Sequence, residues 1–121
     1  MTKTTRRREV RENFCGGQGT AVLEHWLSDG QLCPHLRKAA TLILDAGVTM
    51  GTHAHESEAE VYLVWQGYGE YVDDGKTVNV GPGDVMVCGD KQSHSLKNTG
   101  KEPLVIHEVI ITHSSKKETQ L

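Results

Sequence analysis

The sequence contains few aromatic residues and no long apolar run. Aromatic side chains make up 5% of the 121 residues, so a core must be built mainly from Val, Leu and Ile. No apolar stretch approaches the roughly 18 residues that a membrane-spanning helix needs, so no membrane association is predicted. The N-terminal stretch MTKTTRRREVREN has no apolar segment, which argues against a secretory signal.

The sequence also lacks the features of a disulfide-bonded or nucleic-acid-binding protein. Its three cysteines, Cys15, Cys33 and Cys88, are odd in number and have no CxxC spacing, which predicts free thiols in a reducing cytoplasm. Cys33-Pro34-His35 is interpreted as a loop with an incidental thiol, since no second half of a zinc site is visible. A net charge of −3 gives no electrostatic basis for binding nucleic acid.

The chain is long enough for one compact domain with one core. Residues 1–13 are polar and include Arg6-Arg7-Arg8, which predicts a flexible N-terminal arm. Residues 114–121 are equally polar and predict a disordered tail. The folded domain is therefore expected to span residues 14–113.

Short apolar runs separated by turn signals fill this domain. Asp73-Asp74-Gly75 is a hairpin signal, and Gly81-Pro82-Gly83-Asp84 forces a turn. About eight or nine strands are expected, with no room for crossover helices, so the sheet must be mainly antiparallel. The prediction is an all-β fold, either a small closed barrel or a two-sheet jelly roll. The clearest strand segments are 20–27, 40–44, 61–65, 76–80, 85–88, 93–98 and 104–112.

The segment GTHAHESEAE, residues 51–60, combines two histidines with three acids. On a strand, His53 and His55 point to the same face, and two buried imidazoles need partners for their ring nitrogens. A single metal ion supplies a partner to both imidazole rings. Glu56, Glu58 and Glu60 compete as the third ligand; Glu60 is preferred because it opens the apolar run VYLVW, while the other two are interpreted as solvated loop acids.

A further ligand must come from a distant strand. His94 begins the run HSLKN after a polar loop and is the preferred fourth ligand. His107, in LVIHEVIIT, is its rival, but it shares a face with Val105 and Val109 and is interpreted as a hydrogen-bonded core or surface histidine.

These residues resemble the two motifs of the cupin superfamily. GVTMGTHAHESEAEVYLVWQG, residues 47–67, fits the first motif at Gly47, His53, His55, Glu60 and Gly67. GDVMVCGDKQSHSLKN, residues 83–98, is similar to the second motif through Gly83, His94 and Asn98. The second motif usually contains a proline and a glycine, which are replaced here by Gly89 and Lys91. This departure leaves the shape of the turn open, but it does not affect the ligand His94.

The resemblance implies a cupin-type jelly-roll β-barrel (a double-stranded β-helix) with one divalent metal held by His53, His55, Glu60 and His94. It favours manganese or iron and allows nickel, zinc, cobalt or copper. It also implies a homodimer, in which segment 20–27 or the arm before it could pack on the partner's sheet.

Four ligands on a six-coordinate ion leave two positions for a small-molecule ligand. The function predicted first is therefore a metal-dependent enzyme acting on a small carboxylate, 2-oxo acid or sugar derivative by isomerisation, decarboxylation or oxygenation. A non-catalytic binding or sensor module is the alternative, and a purely structural metal site is disfavoured. Tyr62 is the candidate for catalysis and also a candidate core aromatic. Candidate substrate-binding residues are Met50, Met86 and Asn98, and candidate anion holders are Arg37, Lys38, Lys91 and Lys97.

Overall fold

The computed structural model describes residues 3–27 and 34–113. These residues form ten strands and one short 3-10 turn, Phe14–Gly16, with no α-helix among them. In chain order the strands are β1 (Arg7–Glu12), β2 (Thr20–His25), β3 (Leu36–Leu44), β4 (Thr49–Ala54), β5 (Glu58–Gln66), β6 (Gly69–Asp73), β7 (Lys76–Val80), β8 (Val85–Cys88), β9 (Ser93–Asn98) and β10 (Leu104–Thr112).

The strands form two sheets in which every neighbouring pair is antiparallel. The larger sheet has the order β1-β2-β3-β10-β5-β8, and the smaller one β4-β9-β6-β7. The prediction of an all-β, antiparallel jelly roll is confirmed. Of the two architectures left open by the sequence, the two-sheet form is the observed one, because the sheets do not close into a continuous barrel.

Apolar side chains from both sheets form one core. The larger sheet contributes Leu42, Tyr62 and Ile106, and the smaller one Met50 and Leu96, all at most 2% exposed. The period of two along each strand explains this arrangement, since alternate residues point inward. In β10, for example, the buried and half-buried classes alternate from Leu104 to Ile110.

The N-terminal arm predicted for residues 1–13 is wrong for Arg7–Glu12. This segment pairs with β2 along its whole length, from Arg7 opposite His25 to Glu12 opposite Thr20. Its charged side chains hid the strand from sequence reasoning, because an exposed edge strand shows no apolar alternation. The tail at 114–121 and Cys33 lie outside the described residues.

Two turns have the geometry that the sequence predicted for them. Asp74 and Gly75, between β6 and β7, both have positive φ (46° and 84°), as a two-residue hairpin turn of type I′ requires. Gly81 N donates to Asp84 Oδ2 at 2.8 Å, closing the turn before β8. No helix among the described residues is long and apolar enough to cross a membrane.

The 3-10 turn packs closely against β4. A Cβ on Gly51 would lie only 2.1 Å from the Cys15 carbonyl oxygen, so this approach requires glycine at position 51. The contact brings Cys15 beside His53, at the edge of the site described next.

Candidate metal centre

Four predicted ligands converge at one point inside the jelly roll. The ligand atoms of His53, His55, Glu60 and His94 all lie within 4.8 Å of one another. His94 Nε2 is 2.9 Å from His53 Nε2 and 3.1 Å from His55 Nε2. Glu60 Oε1 lies 3.0 Å from His55 Nε2 and 3.1 Å from His94 Nε2.

The sheet register explains why these side chains meet. His53 on β4 is directly opposite His94 on β9, so both imidazoles project from the smaller sheet at the same level. His55 follows the end of β4 and is held by its backbone, because Lys91 N donates to His55 O at 2.7 Å. Glu60 projects from β5 of the larger sheet, sharing the inward face with Tyr62 and Val64.

Each imidazole is fixed from behind through its other ring nitrogen. His53 Nδ1 donates to the carbonyl oxygen of Gly51 at 3.0 Å, and His55 Nδ1 donates to Glu58 Oε2 at 2.5 Å. Because these partners can only accept, the Nδ1 atoms carry the hydrogens. In the neutral rings the lone pairs then lie on Nε2, facing the common centre. His94 Nδ1 lies 3.0 Å from Tyr71 Oη, which permits the same arrangement.

This donor set fits a divalent cation. Three inward imidazole lone pairs and a carboxylate at about 3 Å repel one another unless a positive charge lies between them. Two ligand atoms at right angles, each about 2.1 Å from an ion, are separated by about 3.0 Å, close to the four distances above. The cluster of three histidines and one glutamate could therefore bind one metal ion.

In the metal-free protein, protons partly supply this positive charge. Burial lowers the pKa of His53, but hydrogen bonds with Cys15, Glu60 and Gly51 outweigh it and raise that pKa to about 10. Burial lowers the pKa of His94, against the opposing effect of Glu60. Burial would raise the pKa of Glu60, yet hydrogen bonds with the three imidazoles hold it far below its usual range.

Two tyrosines hold the His94 ring in place. Tyr62 stacks on it, with ring centroids 5.1 Å apart and planes at 12°. Tyr71 binds its Nδ1, as described above. The Tyr62 hydroxyl lies 3.4 Å from Met50 Sδ, and burial raises its pKa well above its usual value. Tyr62 is thus a packed core aromatic whose hydroxyl has a partner. Tyr71 was not predicted as a site residue, because nothing in its sequence spacing marked it.

Glu58 is not the solvated loop acid that the sequence suggested. It begins β5 and receives two hydrogen bonds from Arg37, Nε to Oε1 at 2.8 Å and Nη2 to Oε2 at 3.0 Å. Its carboxylate also holds His55. The left-handed Ser57 (φ 58°) shortens the turn and brings Glu58 back toward the site, a conformation that the sequence did not signal. Glu56 is exposed, as expected.

His107 is a hydrogen-bonded histidine outside the cluster, as predicted. Its Nδ1 lies 2.9 Å from Thr41 Oγ1, on the opposite face of β10 from Glu108.

A cavity of about 340 Å³ opens over the cluster. Its lining includes His53, His55 and Glu60, together with the cations Arg7, Arg11, Arg37 and Lys38. Of the four proposed anion holders, Arg37 and Lys38 therefore lie on the cavity, whereas Lys91 and Lys97 are not part of its lining.

Glu108 is a cavity residue that sequence reasoning missed. It is 1% exposed, and Lys38 Nζ lies 2.6 Å from its Oε1. Burial raises the pKa of Glu108 to about 7, with Lys38 opposing the rise and Glu60 adding to it. The alternation of LVIHEVIIT carried the signal, since it places Glu108 on the same inward face as Ile106 and Ile110.

The remaining predicted site residues are divided between the cavity and the core. Met50 lines the cavity, whereas Met86 is buried but is not part of the lining. Asn98 Nδ2 donates to the carbonyl oxygens of Leu44 at 2.9 Å and Glu102 at 2.8 Å. Asn98 thus fixes the turn before β10, away from the cluster.

The fold is a two-sheet antiparallel jelly roll, and a cluster of three histidines and one glutamate lies between its sheets. Together these features define a class of small proteins able to bind one metal ion. Residues 40–110 match the family model described as "Cupin domain". The chain belongs to the cupin family.

Known relatives agree with this assignment. The chain is 37% identical over 99 residues to the oxalate-binding protein of Thermotoga maritima, and the alignment covers 82% of each protein. A crystal structure from the same organism, described as a predicted oxalate decarboxylase, is similar with a TM-score of 0.84 and 34% identity. That match covers 90% of this chain and 99% of the other.

More distant structures share the fold alone. KdgF from Halomonas sp. has a TM-score of 0.66 at 21% identity, covering 93% of this chain and 91% of that one. The cupin domain of Schizosaccharomyces pombe Cnp3 has a TM-score of 0.70 at 14% identity, covering 86% and 68%.

Proposed function

We propose that this cupin is a metal-dependent enzyme that binds a small carboxylate of the oxalate class and decarboxylates it. One observation carries the proposal: the cluster lies at a cavity of about 340 Å³ whose lining also bears four cationic side chains, against two further carboxylates, Glu9 and Glu108. A cavity of this size suits a small ligand. The ligand that matches both a divalent ion and nearby cations is a small, oxygen-rich anion.

The ion we propose is manganese or iron, because the four donors are nitrogen and oxygen without sulfur. Nickel, zinc, cobalt or copper would be accepted by the same donors, and zinc, copper and nickel bind such sets more tightly. When bound, the ion would polarise the carboxylate of the substrate and stabilise the charge that develops as the carbon–carbon bond breaks.

Lys38 and Arg11 are the groups proposed to hold the carboxylate. Lys38 lies within the site, since its ammonium pairs with the buried Glu108 and lies 5.6 Å from the centre of the Phe14 ring. Arg11 lies over the same ring, also at 5.6 Å. Both cations therefore contact the Phe14 ring, and all three residues line the cavity.

Glu108 is the proposed proton carrier. Decarboxylation of hydrogen oxalate gives carbon dioxide and formate: the carbon–carbon bond breaks and its electron pair becomes a carbon–hydrogen bond. This needs one proton at carbon and no external oxidant or reductant. Glu108 is the buried acid of the cavity that is not among the four ligands, and its proton would be replaced from hydrogen oxalate.

The test is oxalate turnover by protein loaded separately with each of these metals. Formate and carbon dioxide are measured, and oxalate binding is followed by calorimetry. His55→Ala should abolish both, Lys38→Met should weaken oxalate binding, and Glu108→Gln should bind oxalate without producing formate. Lys97→Met, outside the cavity, is the matched control for Lys38. Oxalate binding that is unchanged by Lys38→Met would contradict the proposed carboxylate site.

A second candidate is a non-catalytic carboxylate-binding protein. The observation that favours it is the Lys38–Glu108 ion pair, which would hold Glu108 as a carboxylate with no proton to give. The name of the 37%-identical relative points the same way. Tight oxalate binding with no formate under any of the metals would establish this alternative in place of the enzyme. We also propose that the protein is a homodimer.

A further inference from the structure

We propose that Arg7 forms a second anion subsite in the cavity, which takes the far carboxylate of a dicarboxylate longer than oxalate. The inference rests on the proposed function, since the near carboxylate of the same ligand is placed at the ion and Lys38. It adds the length and the charge of the acid that the cavity accepts. Its test compares two ligands with the same near end, so the second subsite can fail while the carboxylate site stands.

The sheet register places Arg7 in one row with a buried residue of the cavity. Arg7 on β1 pairs with His25 on β2, and His25 pairs with Ala40 on β3. Ala40 in turn pairs with Glu108 on β10. Directly paired residues of neighbouring strands project from the same face of a sheet, so Arg7 shares the inward face of Glu108. The same cavity is lined by Arg7, His25 and Glu108, and it therefore extends across the larger sheet from β10 to the edge strand β1.

This distance is longer than oxalate can bridge. Three strand spacings of about 4.8 Å separate β1 from β10, roughly 14 Å in all. Arg11, proposed above to hold the near carboxylate, also lies roughly 13 Å from Arg7 along β1 at about 3.3 Å per residue. The two carboxyl carbons of oxalate are joined by a single bond of about 1.5 Å. Oxalate bound at the ion and Lys38 therefore leaves the space beside Arg7 open, whereas an acid with several more carbons can extend toward it.

Arg7 is the cation of the cavity whose side chain has no ion pair or hydrogen bond among the described residues. Each of the other three cations in the lining is paired with a carboxylate, the pairs being Arg11–Glu9, Arg37–Glu58 and Lys38–Glu108. A guanidinium without a partner keeps all its donors available, and two parallel N–H groups of arginine match the two oxygens of a carboxylate. Arg7 can therefore bind a carboxylate without first breaking an ion pair.

Glu9, two residues further along β1, does not neutralise Arg7. Its Oε1 lies 2.8 Å from His25 Nε2, and its Oε2 lies 3.1 Å from Arg11 Nε. The hydrogen bond with His25 does most to lower the pKa of Glu9, against the opposing effect of burial, and the charge of Arg7 adds a smaller effect. Both oxygens of Glu9 thus have partners, and the guanidinium of Arg7 is left for an anion that enters from solvent.

The rest of the lining suits a carbon chain. Its apolar members include Phe14, Leu23, Leu27, Ala39, Met50 and Ile110. Leu23 lies on β2 and Ala39 on β3, the two strands between β1 and β10. An acid with two charged ends and an apolar middle therefore matches the cavity along its length.

The test uses two acids that differ only at the far end. 2-Hydroxyglutarate carries a carboxylate there and 2-hydroxypentanoate a methyl group, while both present the same 2-hydroxy carboxylate to the ion. Each is titrated calorimetrically into the full-length protein loaded with Zn²⁺. The wild type should bind 2-hydroxyglutarate about 5- to 10-fold more tightly, as expected for one hydrogen-bonded ion pair at a partly exposed site.

Arg7→Met should bind the two acids equally, whereas Arg8→Met should keep the preference of the wild type. Arg8 is the matched control, because its substitution removes the same charge from the opposite face of β1, outside the cavity lining. Combining the two ligands with the two variants separates the contact between Arg7 and the far carboxylate from the general effect of charge. Circular dichroism establishes that each variant is folded.

Equal affinities of the wild type for the two acids would overturn the proposal, and so would binding of neither. A preference that persists in folded Arg7→Met would overturn it as well, because the far carboxylate would then lie elsewhere. Oxalate titrated into the same proteins distinguishes this failure from failure of the proposed function. Oxalate that binds without any preference between the longer acids removes the second subsite alone, whereas absence of oxalate binding contradicts the carboxylate site itself.

Discussion

Glu58 Oε2 lies 2.5 Å from His55 Nδ1, and this contact places a carboxylate directly behind a predicted metal ligand. Carboxylates in that position fix the tautomer and orientation of a ligating histidine. Arg37 in turn holds Glu58 through two hydrogen bonds.

We therefore expect Glu58→Ala to lower the affinity for a divalent ion by about 10- to 100-fold. Glu56→Ala, two residues away in the exposed turn, is the matched control and should bind the ion as the wild type does. Calorimetric titration with Zn²⁺ or Co²⁺ measures both. Equal affinities for Glu58→Ala and Glu56→Ala would show that the contact does not support the ligand.

Removal of the metal should destabilise the fold, because His53 and His94 lie on the smaller sheet, His55 directly follows its strand β4, and Glu60 lies on the larger sheet. An ion that binds only the folded state, present at 100 times its dissociation constant, stabilises by about 2.7 kcal/mol. Thermal unfolding with and without a chelator measures this difference. His53→Ala, which removes the one ligand that is not fully buried, should lose most of the stabilisation by the ion; a full stabilisation in that variant would exclude His53 as a ligand.

Glu108 should make the stability of the metal-free protein depend on pH. Burial raises its pKa from an ordinary value of 4.5 to about 7 in the folded protein. Between those values the folded state holds a proton that the unfolded chain has lost, so stability falls as pH rises from about 4.5 to about 7. The fall contributed by this group is at most about 3 kcal/mol.

Urea unfolding of the wild type and Glu108→Gln across that pH range measures the effect. The variant should lose less stability as pH rises, and Glu12→Gln on the exposed strand β1 serves as the control. Parallel curves for the wild type and Glu108→Gln would contradict the assignment.

Lys91 has φ 64°, a left-handed conformation that favours glycine. We expect Lys91→Gly to stabilise the protein by up to about 1 kcal/mol, since relief of the strain outweighs the greater freedom that glycine gives the unfolded chain. Lys97→Gly, within β9, should instead destabilise it by about 0.5–1 kcal/mol. Both are measured by urea unfolding, and a destabilised Lys91→Gly would show that the Lys91 side chain has a role of its own.

Much of the fold was predictable because the period of two is regular in the segments that build it. Lys76–Val80, Ser93–Asn98 and Leu104–Thr112 were predicted with the observed bounds. β1 was missed because it is an exposed edge strand, and edge pairing depends on the partner strand rather than on an apolar pattern.

The four predicted ligands could be identified for a similar reason: His53, Glu60 and His94 lie on strands, and His55 directly follows the end of β4. The residues behind and beside them were harder. Glu58 depends on a left-handed Ser57 and on Arg37, which is 21 residues away in sequence. Tyr71 meets His94 across paired strands, and no local spacing encodes that contact.

The turn from Gly89 to Gln92 ties two ligands to one local structure. Lys91 N donates to His55 O, and the same turn leads directly into Ser93 and His94. A substitution that changes the path of these four residues would therefore shift the backbone of two ligands together, even though the two imidazole rings have separate partners behind them.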